Sequence, residues 1–448
     1  MDNKAYILQF TLIVAACIAV VVQGFTHVVP SRPLSQYNDN AKVEQKLLSF
    51  DTYCDGSYQQ YLAQNAWKNT GFREFFSRCH NQVAYSCFGK MANQNVVKGT
   101  HGMLFLKGDT EDATGQLLLS QYGSIENAKA AAQKNIEETL SLIDTLHRHG
   151  TEFLFVFCPT KSAVYPEYLP KHIQEQVSDF SLEEYYIALC KANGIPHIDF
   201  YHYFQTIKDA PPCPLYTLTG SHWAESVIPF VADSLLRKIE TVSGYDLPSI
   251  HYIDPNPSRR YSNHDAELEN SLDLLLPLCK PKIPRPVLGL QDTLAKDRPN
   301  LLVVGDGNFT QLRETCFVDA FNRWDFWLYN QISLSSRPDH DWRYFDQLSD
   351  LPETLENADI VLAVYTSSYL LNYLHGFTHS AIELYQKGRG NEQETLLMII
   401  ESIKNDPAWM QAIEQQAQER GISIEDNLMK NAQYILQTKK TEKENAQP

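Results

Sequence analysis

The N-terminal segment shows the sharpest contrast between apolar and polar positions in the chain. Ala5 to Gly24 contains no charged residue and is almost wholly apolar, and Lys4 stands directly before it. An α-helix rises about 1.5 Å per residue, so about 20 such residues span a hydrocarbon core about 30 Å thick. A small-x-small cleavage site does not follow the run, which favours an uncleaved anchor over a signal peptide. The pattern predicts a single-pass membrane anchor or signal over residues 1–24.

Farther along, apolar positions recur with the periods of helices and of buried strands. Helical spacing predicts a helix over 124–149, and the continuous apolar run at 153–157 (FLFVF) is typical of a strand buried on both faces. A second helix and strand follow at 182–193 and 195–200. The same reasoning predicts a helix over 224–239 and strands over 301–304 and 358–364. Strands that alternate with helices predict an α/β domain with a mostly parallel sheet covered on both faces.

The composition changes along the chain indicate its organisation. We expect a polar tether over 25–45, a mainly helical region over 46–98, an α/β domain over 99–390 with a proline-rich insertion at 245–299, and a helical tail over 391–448. The insertion is too long for a simple connection.

Charge and cysteine content narrow the possible partners and the compartment. A net charge of -16 and a pI near 5.3 argue against nucleic acid, which needs a basic patch. Eight of the nine cysteines follow the span, an even number that permits disulfides in an oxidising compartment. Cys54, Cys79 and Cys87 are the best candidates for pairing. Buried free thiols are the alternative, since Cys158 and Cys190 lie in apolar runs.

Three segments directly follow predicted strands or open a helix, where the ligand crevice of a parallel sheet forms. They are Cys158 to Pro166, Thr219 to Trp223, and Gly305 to Thr310. Candidate chemistry is therefore expected at these three places.

Four motifs, in one order, resemble those of the AlgX/AlgJ-type alginate O-acetyltransferases. Gly99 to Phe105 looks like the family's G-x-x-G-W-L-F, and Pro159 to Pro166 is similar to its P-x-K-x-x-x-Y-P. Ser221-His222-Trp223 resembles D-T-H-W or G-T-H-W, and Val304-Gly305-Asp306 resembles the start of the G-D-S-F block. The resemblance covers about residues 50 to 373.

This resemblance implies a flavodoxin-like, three-layer SGNH domain and acetyl transfer to a polysaccharide hydroxyl through an acyl-serine. A histidine would act as base and an aspartate would orient it, because a serine hydroxyl needs an adjacent imidazole to take its proton. His222 carries over. Gly220 stands where some members have that aspartate, and Gly307 or Asn308 stands where the family has serine.

The predicted site follows from these matches. We expect catalytic roles for His222, Asp306 and Thr310, the hydroxyl nearest to the missing serine. Substrate contacts are expected from Lys161, Tyr165, Trp223 and Asn308. Structural roles are the alternative: helix capping for His222, a turn for Asp306, a solvated loop for Lys161 and packing for Tyr165. Neither a metal nor another cofactor is expected, because the Asp306 to Asn308 run lacks the rest of a calcium loop.

The sequence therefore predicts an extracytoplasmic (periplasmic) protein of polysaccharide O-acetylation or exopolysaccharide biosynthesis, held in the inner membrane. Its expected partners are a polysaccharide and a membrane-bound acyltransferase. Activity would need a nucleophile other than serine, such as Thr310 or a hydroxyl of Ser367 or Ser368. The alternative is a pseudoenzyme that binds glycan or scaffolds a partner without turnover, and the sequence leaves this choice open.

Overall fold

A computed structural model describes most of the chain. The described residues are 3–35, 45–209, 214–253, 261–278, 283, 286–291, 296–336, 343–344, 350–387, 396, 399–400, 403–404 and 407–446. Parts of the predicted tether, insertion and tail lie outside these ranges.

Helices account for most of the described residues. The α-helices span Asn3–Thr26, Phe50–Cys54, Ser57–Lys68, Arg73–Phe88, Lys107–Ala113, Gln116–Tyr122, Ile125–Arg148, Lys161–Val164, Lys171–Gln174, Leu182–Asn193, Phe200–Ile207, Ile228–Ser243, Glu267–Ser271, Asn308–Arg313, Asp350–Asn357, Phe377–Lys387, Pro407–Arg420 and Ile424–Ala446. Short 3₁₀ segments span Pro166–Tyr168, His264–Ala266, Cys316–Ala320 and Ser367–Gly376.

The strands form one large sheet and two small two-stranded antiparallel sheets. They are β1 (Val96–Lys98), β2 (Leu104–Leu106), β3 (Glu152–Cys158), β4 (His197–Asp199), β5 (Ser249–Tyr252), β6 (Leu288–Gln291), β7 (Asn300–Gly305), β8 (Arg323–Leu328), β9 (Ile332–Ser335), β10 (Arg343–Tyr344) and β11 (Ile360–Thr366). The large sheet has the order β10-β9-β8-β7-β11-β3-β4, in which β8, β7, β11, β3 and β4 are parallel. The edge strands β9 and β10 are antiparallel. The prediction of a mostly parallel α/β sheet is confirmed.

Strand β3 shows why the central strands are apolar throughout. Leu154 and Val156 pack into the core on one face of the sheet, while Phe153, Phe155 and Phe157 pack into the core on the other. Successive side chains of a strand point to opposite faces, so a strand covered by helices on both sides needs apolar residues at every position.

Several predicted boundaries shift for local reasons. The strand predicted over 195–200 is shortened to β4, because the Asp199 carboxylate accepts a hydrogen bond from the His202 amide (2.9 Å) and starts a helix at Phe200. The helix predicted from Ala224 begins at Ile228 instead. The predicted insertion contributes the antiparallel pair β5 and β6 and a short helical segment before Leu272.

The predicted apolar span forms a single helix, Asn3–Thr26. Its stretch from Lys4 to Thr26 is long and apolar enough to cross a membrane or to serve as a signal. Among the residues that the structure describes, the candidates for pairing, Cys54, Cys79 and Cys87, are free thiols, which is the alternative that the sequence left open.

Candidate active site

His222 and Gly307 meet beyond the carboxyl ends of the parallel strands. His222 lies in the loop before the helix Ile228–Ser243, and Gly307 follows β7 at the start of the helix Asn308–Arg313. A Cβ atom built on Gly307 would lie 3.0 Å from Nε2 of His222. Position 307 is therefore the place where a nucleophilic side chain would meet this imidazole, and glycine provides none.

The partner of His222 is Glu267, which the sequence analysis did not identify. His222 Nδ1 lies 2.7 Å and 2.8 Å from the two carboxylate oxygens of Glu267. The amides of Ser221 (2.8 Å) and His222 (3.1 Å) and the Ser221 hydroxyl also donate to this carboxylate. Since an ionised carboxylate only accepts hydrogen bonds, Nδ1 carries the proton, and neutral His222 presents the lone pair of Nε2 toward Gly307.

Gly220 makes room for the segment that delivers Glu267. A Cβ atom at Gly220 would lie less than 3.0 Å from the His264 carbonyl oxygen and 3.1 Å from the Asp265 carbonyl carbon. The aspartate that some relatives carry at this position would thus collide with backbone. Glu267 comes from the predicted insertion and supplies the carboxylate that position 220 lacks.

The two partners shift each other's protonation. Burial alone would lower the pKa of His222, but Glu267, with Asp306 and Asp109, raises it above its ordinary value of 6.5. Burial would raise the pKa of Glu267, but the charge and hydrogen bonds of His222, with those of Ser221, bring it down to about 2. Glu267 therefore stays ionised at all but acidic pH, and it stabilises the imidazolium that forms when Nε2 of His222 takes a proton.

Asp306 serves the backbone of the site and not the imidazole. One of its oxygens accepts from the amide and the side chain of Asn308 (both 2.9 Å), and the other accepts from the amide (2.6 Å) and hydroxyl (2.9 Å) of Thr366. Its side chain is fully buried. Asp306 thus joins the ends of β7 and β11, and Asn308, expected to contact substrate, turns inward to it.

Lys161 is a buried support for the His222 loop. Its ammonium donates to the carbonyl oxygens of Leu104 (2.7 Å), Leu218 (3.1 Å) and Gly220 (2.8 Å). Burial lowers its pKa to about 7, although Asp109 and Glu267 oppose this effect. The side chain is fully buried. The structure places it where it positions the loop and does not meet a ligand.

Tyr165 and Trp223 also lie inside the protein. The Tyr165 ring is 6% exposed, and its hydroxyl accepts from the Leu215 amide (3.3 Å). Trp223 is fully buried, with its ring 5.8 Å from that of Phe200 and 6.0 Å from that of Phe204. Both side chains, for which we expected substrate contacts, therefore lie in the core, and Trp223 follows His222 directly in the chain.

The hydroxyls proposed as substitute nucleophiles do not occupy position 307. Thr310 lies one helical turn on, and its amide donates to the Gly307 carbonyl (3.1 Å). Ser367 is buried and bonds to Asp112, and the hydroxyl of Ser368 lies 3.5 Å from that of Thr366.

One group of side chains near the site has the composition of a metal site. Ligand atoms of His222, His264 and Glu267 lie within 4.8 Å of one another. His264 Nε2 lies 3.2 Å from a carboxylate oxygen of Glu314. Because Nδ1 of His222 already donates to Glu267, a cation bound through Nδ1 would have to displace that proton.

Comparison with known proteins finds one matching family model. Residues 96–261 match the family model described as "SGNH hydrolase-like domain, acetyltransferase AlgX". These 166 of the 448 residues are thus similar to an AlgX-type SGNH hydrolase-like domain. The family resemblance predicted from the four motifs is confirmed. His222 lies within the matched residues of this AlgX-type domain, whereas Glu267 and Gly307 lie beyond them.

The chain is also similar to solved structures. The O-acetyltransferase domain of Pseudomonas putida AlgJ is 16% identical, with 64% of this chain and 99% of that one covered and a TM-score of 0.39. Pseudomonas aeruginosa AlgX is 16% identical, with 65% and 67% covered and a TM-score of 0.43. Bacillus cereus PatB1, solved with a sulfonyl adduct, is 14% identical, with 56% and 93% covered and a TM-score of 0.35. The search of curated proteins gave no match.

Proposed function

We propose that this protein is a membrane-anchored component of polysaccharide O-acetylation outside the cytoplasm, and that its AlgX-type domain works without an acyl-serine. The observation that carries the proposal is the His222–Glu267 pair facing Gly307, whose Cβ position lies 3.0 Å from Nε2. The base and its orienting carboxylate are present, and a nucleophile is absent at the position that Nε2 of His222 faces.

A base without a serine can still act on a hydroxyl that the substrate brings. A glycan hydroxyl placed over Gly307 would give its proton to Nε2 of His222, and its oxygen would attack the carbonyl carbon of an acyl donor. Glu267 would stabilise the resulting imidazolium. As the bond to the leaving group breaks, that group would take the proton from Nε2, and the glycan ester would form without a covalent enzyme intermediate.

Such a site should be slow. In serine hydrolases, loss of the triad serine leaves about 10³- to 10⁴-fold acceleration over water, which comes from binding and oxyanion stabilisation. We therefore expect weak transfer at most, dependent on His222.

Acyl-enzyme trapping tests the proposal. Purified protein is incubated with p-nitrophenyl acetate, and its intact mass is compared with that of Gly307→Ser and of Gly307→Ser with His222→Ala. We expect an acetyl adduct on Gly307→Ser alone. The backbone at Gly307 (φ -60°) accepts serine, and the end of the His222 ring has only to yield by a few tenths of an ångström.

Two results would contradict this proposal. A His222-dependent adduct on the unmodified protein would show a substitute nucleophile, such as Thr310. Absence of an acetyl adduct on Gly307→Ser would show that the His222–Glu267 pair does not activate a hydroxyl at this position.

The second candidate is a non-catalytic glycan-binding or scaffolding protein, for instance beside a membrane-bound acyltransferase. One contact favours it: the Gly307 amide lies close enough to the Tyr329 hydroxyl to oppose the rise that burial causes in the pKa of Tyr329. In a serine enzyme this amide would help to hold the oxyanion. Transfer of acetyl to a glycan by the unmodified protein, abolished in His222→Ala, would exclude this candidate. Digestion of this protein by a protease added to intact spheroplasts would test the extracytoplasmic location.

A further inference from the structure

The helix Arg73–Phe88 carries its apolar side chains on the outside. Phe75, Phe76 and Val83 are 51%, 44% and 54% exposed. At 100° per residue these three lie within about a quarter-turn of one another, so they form one stripe along the helix. A helix on the surface of a water-soluble domain normally turns such a stripe inward.

The polar face of the same helix is the one that meets the protein. Arg78 Nη2 lies 3.1 Å from Oδ1 of Asp273 and donates to the Pro33 carbonyl (2.8 Å). The Asn81 side chain donates to the Leu272 carbonyl (3.1 Å). Arg78 is 9% exposed. The side of this helix that meets the protein is therefore polar, while its exposed side carries large apolar groups beside the polar residues His80 and Ser86.

Neighbouring elements expose further large apolar side chains. These are Leu47, Leu48, Phe50, Tyr53, Leu62 and Trp67, which are between 45% and 82% exposed. We call the three helices Phe50–Cys54, Ser57–Lys68 and Arg73–Phe88 the collar. A soluble protein seldom exposes so many large apolar groups together, and such patches mark protein or membrane contacts.

The collar adjoins the end of the apolar N-terminal helix. A Cβ atom on Gly71 would lie less than 3.0 Å from the Val20 carbonyl oxygen, and one on Gly24 would lie 2.5 Å from the Asn69 carbonyl oxygen. Glycines on both sides allow this backbone contact. Val20 is six residues, or about 9 Å, before the end of the helix at Thr26. In a membrane crossed by Lys4–Thr26, the turn after Lys68 would lie near the boundary between hydrocarbon and headgroups.

We propose that the collar lies on the bilayer surface, with Trp67, Phe75 and Phe76 in the interfacial layer. Aromatic side chains are enriched at this depth, since their rings suit the boundary between apolar and polar phases. The position of the collar favours a lipid surface as its partner. The collar contacts the span Lys4–Thr26, which is the part of the chain suited to hydrocarbon. The inference rests on the anchor in the proposed function but not on its chemistry.

The collar would also fix the height of the candidate site above the membrane. Its polar face holds Asp273, which stands two residues after the helix Glu267–Ser271 and accepts from the Ser35 amide (2.8 Å) as well. The same short helix begins with Glu267, the partner of His222. A membrane-bound donor or partner would therefore meet the site at a set distance.

Fluorescence quenching by brominated lipid tests the proposal. The full chain, with residues 1–26 verified by intact mass, is reconstituted in nanodiscs of phosphatidylcholine or of its dibrominated form. Trp67→Phe is compared with Trp409→Phe as the matched control, since Trp409 is 40% exposed and belongs to the helix Pro407–Arg420, outside the collar. We expect brominated lipid to quench the unmodified protein and Trp409→Phe, and Trp67→Phe to lose most of the quenched emission.

A second pair of variants separates depth from a change of fold. In the Trp67→Phe background, Phe76→Trp should restore quenching, and Tyr434→Trp on the C-terminal helix should not. Equal quenching in Trp67→Phe and the unmodified protein, or none in the unmodified protein, would overturn the proposal and leave the collar to a protein partner. Neither readout depends on acyl transfer, so failure of the chemistry is detected separately.

Discussion

Replacing Gly220 by alanine should displace the segment that carries Glu267. The added Cβ would lie less than 3.0 Å from the His264 carbonyl oxygen, and 3.1 Å from the Asp265 carbonyl carbon. Overpacking in a dense interior costs about 1–3 kcal/mol. Because these atoms belong to the backbone and cannot rotate away, we expect the upper end, about 3 kcal/mol. At 2–4 °C per kcal/mol, the midpoint of thermal unfolding should fall by about 6–12 °C.

Circular dichroism in detergent would measure this midpoint, with Gly108→Ala as control. Gly108 lies in the helix Lys107–Ala113, and a Cβ there would meet nothing within 4 Å. Alanine at that position should be neutral or stabilising by up to about 1 kcal/mol. NMR titration of His222 in Gly220→Ala should show a lowered pKa, since Glu267 is moved away. Equal midpoints for the two variants and an unchanged His222 titration would refute the argument.

Two further predictions concern the groups that hold His222. Glu267→Gln should lower the pKa of His222 below 6.5, because burial then acts without the carboxylate, and NMR titration would show it. The contribution of His222 to stability is complete below pH 6.5 and is lost as the pH rises through its raised pKa. The contribution of Glu267 is complete above pH 4.5 and is lost as the pH falls toward 2. The drop in the thermal unfolding midpoint that Glu267→Gln causes, measured between pH 4 and 9, should therefore be largest between pH 4.5 and 6.5. A drop of the same size at every pH would contradict this. Lys161→Met leaves three carbonyls without their donor and should cost about 3 kcal/mol, whereas Lys134→Met, whose side chain is 76% exposed, should cost almost nothing in the same unfolding assay.

The sequence by itself determined the elements whose signals are local. The FLFVF run predicted β3, because a strand covered on both faces has to be apolar at every position. Helical periodicity ended by Gly194 predicted the helix Leu182–Asn193 with both ends correct, since Gly194 adopts φ +68°, which favours glycine. The motif around His222 pointed to the loop that the structure places beside Gly307.

Tertiary structure alone decided what surrounds His222. Glu267 lies 45 residues farther along the chain, in a segment that the sequence analysis treated as an insertion. A glycine at position 220, where some relatives carry the orienting aspartate, was the available signal that the carboxylate comes from elsewhere. The same holds for Lys161 and Trp223, whose motifs suggested contact with substrate but whose side chains are buried. Sequence patterns report neighbours within a few residues, whereas burial and pairing across the fold depend on which segments pack together.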